Sequence, residues 1–124
     1  MTTFYPSFRF KDAPAAIEWL EKAFGFEPEM VVDGEEEGTV AHAQMTFGDG
    51  KIMLGSTRGD ESDSVVGTGW TYVAVEGDID AHCERARAAG AEITREPEDQ
   101  EYGSRDYGAK DPEGNVWNFG TYRP

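Results

Sequence analysis

Two histidines, His42 and His82, and one cysteine, Cys83, are the whole supply of imidazole and thiol in the 124 residues. Metal centres and proton relays draw mostly on such groups, so these three side chains bound the chemistry that is open to the chain. A single cysteine makes no internal disulfide and no cysteine-cluster metal site, and Cys83 stands among helix-favouring residues as a buried small hydrophobe rather than a nucleophile. His42 lies in the alternating segment Thr39 to Phe47, and His82 borders the apolar stripe of a helix. Both read as structural or solvent-facing. No Gly-x-Ser-x-Gly elbow occurs, and Ser7 without an imidazole beside it is an unactivated hydroxyl. Gly67-Thr68-Gly69 precedes a strand rather than a helix start, which makes it a loop and not a phosphate cradle.

Charge narrows the partners further. Acidic residues outnumber basic ones 25 to 11, a net charge of −14 that repels nucleic acid and anionic lipid alike. The acids gather in Asp33-Gly34-Glu35-Glu36-Glu37, in Asp60-Glu61-Ser62-Asp63 and in the stretch from Glu96 to Glu101, which read as solvated loops that could also steer a cationic ligand. No apolar run approaches the roughly 18 residues of a membrane span, and the first residues lack a signal-peptide core, so a cytoplasmic location is expected.

The elements that position these groups come as a repeat. An offset of 65 lays Ala16, Ala23, Gly25 and Glu27 on Ala81, Ala88, Gly90 and Glu92. Each segment is a helix: Asp12 caps the first, Pro14 sits in its opening turn and Gly25 stops it, while Asp78 and Gly90 bound the second. An alternating strand precedes each helix, residues 4–10 and 70–75. Three more follow each, at about 26–33, 39–47 and 51–56, then 91–96, 103–110 and 115–121. Gly48-Asp49-Gly50 and Asp111-Pro112-Glu113-Gly114-Asn115 are the turns. The predicted architecture is α+β. Two βαβββ modules, about 2–57 and 68–124, form one domain over 1–124, with a curved mixed sheet, helices on its outer face and a concave cleft inside.

With this duplication on view, the segment Ala16-Ile17-Glu18-Trp19-Leu20-Glu21-Lys22-Ala23-Phe24-Gly25-Phe26 and the ending Gly103-Ser104-Arg105 with Asp111-Pro112-Glu113-Gly114-Asn115 resemble the vicinal-oxygen-chelate superfamily of glyoxalases, bleomycin-resistance proteins and extradiol dioxygenases. The resemblance implies a cleft in which enzymatic members hold a divalent metal through His or Glu on the first and fourth strands of each module. Carried over by position, those sites fall at Tyr5, Trp70, Asn118 and, by an offset of 64 from Asn118, Leu54. Phenol, indole, amide and isobutyl groups are poor substitutes for imidazole or carboxylate on a dication, so the inherited metal site is expected to be absent and no cofactor is assigned. The resemblance also implies that Arg105 anchors a turn.

Pleat alternation then sorts the strand residues. Pro6, Phe8, Phe10, Val73 and Val75 are placed under the helices. Tyr5, Ser7, Arg9, Leu54, Trp70, Tyr72, Val116 and Asn118 are placed in the cleft, with Tyr107 at its rim. Arg9 must meet a carboxylate of the protein or an anionic group of a ligand, and an internal ion pair is the favoured partner. The function expected is sequestration of an aromatic or apolar small molecule, a cationic one included, in clefts shared by a homodimer. The rival is a metal-dependent lyase, isomerase or dioxygenase with non-standard ligands, and a partner-docking protein with a vestigial cleft ranks third.

Overall fold

Asp12 and Asp78 open the two helices in the same way, each carboxylate accepting the backbone N–H three residues on, Ala15 at 3.1 Å and Ala81 at 3.0 Å. In the computed structural model, which describes residues 1–124, the first helix, α1, spans Ala13–Phe24 and buries Ala13, Ala16, Ile17, Leu20, Ala23 and Phe24. Gly25, at φ 87°, turns the chain out of it with a left-handed step that other residues take at a cost. The second helix, α2, spans Ile79–Ala88 and buries Ile79, Cys83 and Ala86. Cys83 packs as the expected inert hydrophobe, and burial pushes its thiol pKa up.

Each helix serves one four-stranded sheet. In the first, β1 (Ser7–Phe10) runs parallel to β4 (Gly50–Ser56), which pairs antiparallel with β3 (Val40–Phe47), and β3 with β2 (Glu27–Asp33). The second repeats the order with β5 (Trp70–Ala74), β8 (Val116–Gly120), β7 (Arg105–Lys110) and β6 (Glu92–Asp99). The α+β arrangement of two βαβββ modules is thus the one the sequence predicts. Each module carries its own sheet, and no ladder joins β1 to β5. The first strand begins at Ser7 rather than Phe4, because Pro6 has no N–H to give and enters the ladder only through its carbonyl, which accepts from Met53. Pro6 is therefore exposed and not under the helix.

The two modules share one core. Phe8 stacks on Trp117 at 5.0 Å, and Phe24 meets Phe119 at 4.7 Å. Polar links cross the same seam. The Glu113 carboxylate accepts the N–H groups of Lys11 and Asp12, Trp19 donates its indole N–H to the Ala89 carbonyl, and Arg85 donates to the Glu21 and Lys22 carbonyls that end α1. His82 closes the seam from inside. Its Nε2–H donates to the Phe24 carbonyl, so Nδ1 carries the lone pair that accepts from the Tyr107 hydroxyl. No helix is long and apolar enough to cross a membrane.

The turn before β8 explains why its motif is so informative about fold. Asp111 is 5% exposed and its two oxygens take four donors: the Glu113 and Asn115 N–H groups on one, the Asn115 side-chain amide and the Trp117 indole N–H on the other. Asn115 in turn accepts from the Gly69 N–H at 2.8 Å, fixing the start of β5. A Cβ at Gly69 would stand 2.6 Å from the Phe8 ring, so only glycine fits there.

Candidate functional site

Both sheets present one face to the helices and one away from them. On the open face of the first module the pairs Ser7–Met53 and Arg9–Gly55 lie side by side across β1 and β4, with His42 on β3. Over them folds the segment after β4. There Asp63 accepts the N–H groups of Arg58 and Gly59 at 2.8 and 2.7 Å, and Asp60 caps the 3-10 turn Glu61–Val65 through the Ser62 N–H. These acids stand in a solvent-facing loop, as expected, and serve there as the local caps that shape the segment. The result is a pocket of about 370 Å³ lined by Ser7, Arg9, His42, Met53, Arg58 and Val65 among others.

Arg9 does not find the internal ion pair expected of it. No carboxylate lies within 4.0 Å of the guanidinium of Arg9 or of Arg58, and the Arg9 Nε is buried without any hydrogen-bond partner. Gly55 makes room for this side chain, since a Cβ there would stand 3.3 Å from Arg9 Nη1 and 3.0 Å from the Ala41 carbonyl oxygen. Asp60 is held below the usual carboxylate range chiefly by its bonds from Ser62, with Arg58 and Arg9 adding to the effect. His42 has a fixed tautomer. The Gln44 amide nitrogen donates to Glu29, so its oxygen faces His42 and accepts from Nε2–H.

The second module's open face carries Trp70, Tyr72, Val116 and Asn118, in the pairs Trp70–Val116 and Tyr72–Asn118. Trp70 is 70% exposed. The Tyr72 hydroxyl donates to the Tyr122 carbonyl at 2.6 Å, and partial burial pushes its phenol pKa up. Asn118 is 8% exposed; its oxygen accepts from Arg95 at 3.5 Å, while its nitrogen is buried without a partner.

Two residues predicted for the cleft belong elsewhere. Leu54 is 3% exposed and pairs with Phe8 and Ala43 on the helix side, reaching only the floor of the pocket. The slip has a clear cause: Phe47 and Gly50 close their hairpin over two residues, whereas Lys110 and Val116 close theirs over five. Aligning the glycine turns therefore shifts the register by one, which in a strand exchanges the faces. The ladders themselves superpose at an offset of 65, Ser7–Met53 on Tyr72–Asn118, so the partner of Asn118 is Met53. Tyr107 is not at a rim either. It pairs with Phe119, is fully buried and shares the helix side with Arg105 and Ala109 by strand alternation. Arg105 anchors as expected, gripping Asp80 of α2 with two nitrogens and Asp99 of β6 with a third. Tyr5 precedes β1 and is 47% exposed.

The positions that would hold the metal are thus Tyr5, Met53, Trp70 and Asn118: a phenol, a thioether, an indole and an amide. That donor set does not fit a hard or borderline divalent ion, which wants carboxylate or imidazole. Nor do three or more His, Cys, Asp or Glu side chains converge anywhere in the molecule. The residues that strand alternation in the sequence could have added to the site are Met53 and His42, and the one it could not is Arg58, delivered by a loop.

Comparison with known proteins agrees with this architecture. A search among proteins of curated function finds no match. Among solved structures, TioX from Micromonospora sp. ML1 superposes with a TM-score of 0.79 at 29% identity, covering 99% of this chain and 100% of that one. A glyoxalase I mutant from Zea mays superposes with a TM-score of 0.75 at 23% identity over 97% of this chain but only 44% of its own, a likeness of fold alone. The family model of the Glyoxalase/Bleomycin resistance protein/Dioxygenase superfamily matches residues 5–119, and with nearly the whole chain matched and the duplicated module in place, the protein belongs to that superfamily.

Proposed function

We propose that the protein is a metal-free small-molecule-binding member of its superfamily, sequestering an aromatic or apolar guest between the first module of one copy and the second module of another. The observation that carries this reading is the donor set Tyr5, Met53, Trp70 and Asn118, which offers contact surface where metal-dependent relatives offer ligands. The sharing between copies is supported by the separation of the two open faces. The pocket over Arg9 is lined by residues 7–65 only, and Trp70 stands 70% exposed on a module whose own sheet leaves it uncovered. A second copy placed edge to edge covers both and gives a homodimer with two clefts.

Titration with the neutral aromatic probe N-phenyl-1-naphthylamine tests it. Trp117 is fully buried and Trp19 partly so, which leaves Trp70 as the indole within reach of a guest. Saturable quenching that disappears in Trp70→Ala is expected, together with a stabilisation of about 2.7 kcal/mol at a hundred times the dissociation constant. Non-saturable quenching, or a chain that sediments as a monomer at every concentration, contradicts the proposal.

A further inference from the structure

Resting on that reading, we infer that the pocket over the first sheet is an oxyanion subsite, in which Arg9 and Arg58 take a carboxylate, sulfonate or phosphate group of the ligand. Three features of the geometry converge on it. A guanidinium is held in place with its Nε buried and unpartnered, a state that costs stability unless something pairs with it. Arg58 brings a second cation to the same cavity, and its guanidinium has no carboxylate within 4.0 Å, in a chain whose net charge of −14 gives it many acids to choose from. Asp60, whose charge both arginines influence, is committed to capping the Ser62 turn.

The surroundings suit an anion in shape as well as charge. The bare backbone of Gly55 lets the Arg9 guanidinium lie against the sheet, which presets the planar fork that matches a carboxylate or phosphate edge. The cavity's volume of about 370 Å³ is that of a small-molecule site. Arg9 lies two pairs along the ladder from Ser7–Met53, the next residue on the same face, beside a position where metal-dependent relatives place a ligand. A fixed organic cation thus stands close to where those relatives hold a dication, and it binds oxygens of the guest without one.

The Arg9 Nε–H resonance reads this directly in nitrogen-proton correlation spectra, assigned by its disappearance in Arg9→Lys. Benzoate, benzenesulfonate and phenyl phosphate are titrated against the neutral isostere benzamide. At least one anion is expected to shift the resonance saturably while benzamide leaves it in place, and Arg58→Gln is expected to weaken that anion about tenfold, the lower end for a charge-assisted bond. The order among the three anions tells carboxylate from sulfonate from phosphate. An unmoved resonance, an equal response to benzamide or an unchanged affinity in Arg58→Gln overturns the inference. Quenching of Trp70 by the neutral probe separates the two readings. An Arg9 response without quenching upholds the subsite and removes the shared cleft, and quenching without an Arg9 response does the reverse.

Discussion

Replacing Asp111 by asparagine changes one oxygen to an NH2 and almost nothing in volume, yet it strikes the densest hydrogen-bond node in the fold. One carboxylate oxygen accepts the Glu113 and Asn115 N–H groups at 3.0 and 3.1 Å, the other the Asn115 amide and the Trp117 indole at 2.9 and 3.1 Å. Whichever way an asparagine amide turns, its NH2 faces two donors. Two buried donors without an acceptor cost about 2–6 kcal/mol together at roughly 1–3 kcal/mol each. That is a large share of the ~5–15 kcal/mol by which a domain is stable. Urea unfolding followed by circular dichroism should show the midpoint fall with an unchanged slope. In a Trp117→Phe background one of the orphaned donors is already gone, so the loss should shrink by about 1 kcal/mol or more. A loss under about 1 kcal/mol, or strict additivity with Trp117→Phe, refutes the account of this turn.

The remaining predictions concern the seam and the cleft. Burial holds the His82 pKa below its ordinary value, whereas the unfolded chain titrates it near ~6.5, so the unfolded state takes up the proton first. The stability His82 contributes is therefore present above about pH 6.5 and lost as the pH falls toward its lower folded value. Urea midpoints should drop between pH 7 and pH 5.5, a slope that flattens in His82→Gln; equal slopes in both proteins contradict the neutral, double-bonded imidazole. Asn118→Glu restores a carboxylate at one of the four family positions and leaves Tyr5, Met53 and Trp70 at the others. Calorimetry with Mn²⁺ should find nothing tighter than about millimolar, the strength of a poorly liganded site, and micromolar binding sinks the assignment of those positions.

Most of the fold was legible because caps and periodicity are local. Asp12, Pro14 and Gly25 bound α1, Asp78 opens α2, and the strands fall within a few residues of the alternating runs. The site was legible only in part. Ser7, Arg9, Trp70, Tyr72, Val116 and Asn118 stand on the open faces, each in a ladder whose phase is set by the core residues beside it. Leu54 was misplaced because its phase was taken from a turn, and turns of unequal length do not preserve register. Tyr107 lies in the core rather than at the cleft rim because the half-buried imidazole of His82 supplies its hydroxyl with a partner inside, a contact between α2 and β7 that strand alternation does not show. Arg58 and the free state of Arg9 depend on how the segment after β4 folds back, a tertiary arrangement that no periodicity encodes.

Elemental analysis of protein purified without chelator, repeated after dialysis against EDTA, tests the reading of the cleft most directly. The four positions Tyr5, Met53, Trp70 and Asn118 predict no stoichiometric divalent metal and a melting temperature that the chelator leaves unchanged. About one tightly held ion per chain, lost to EDTA with a fall in stability, would contradict it.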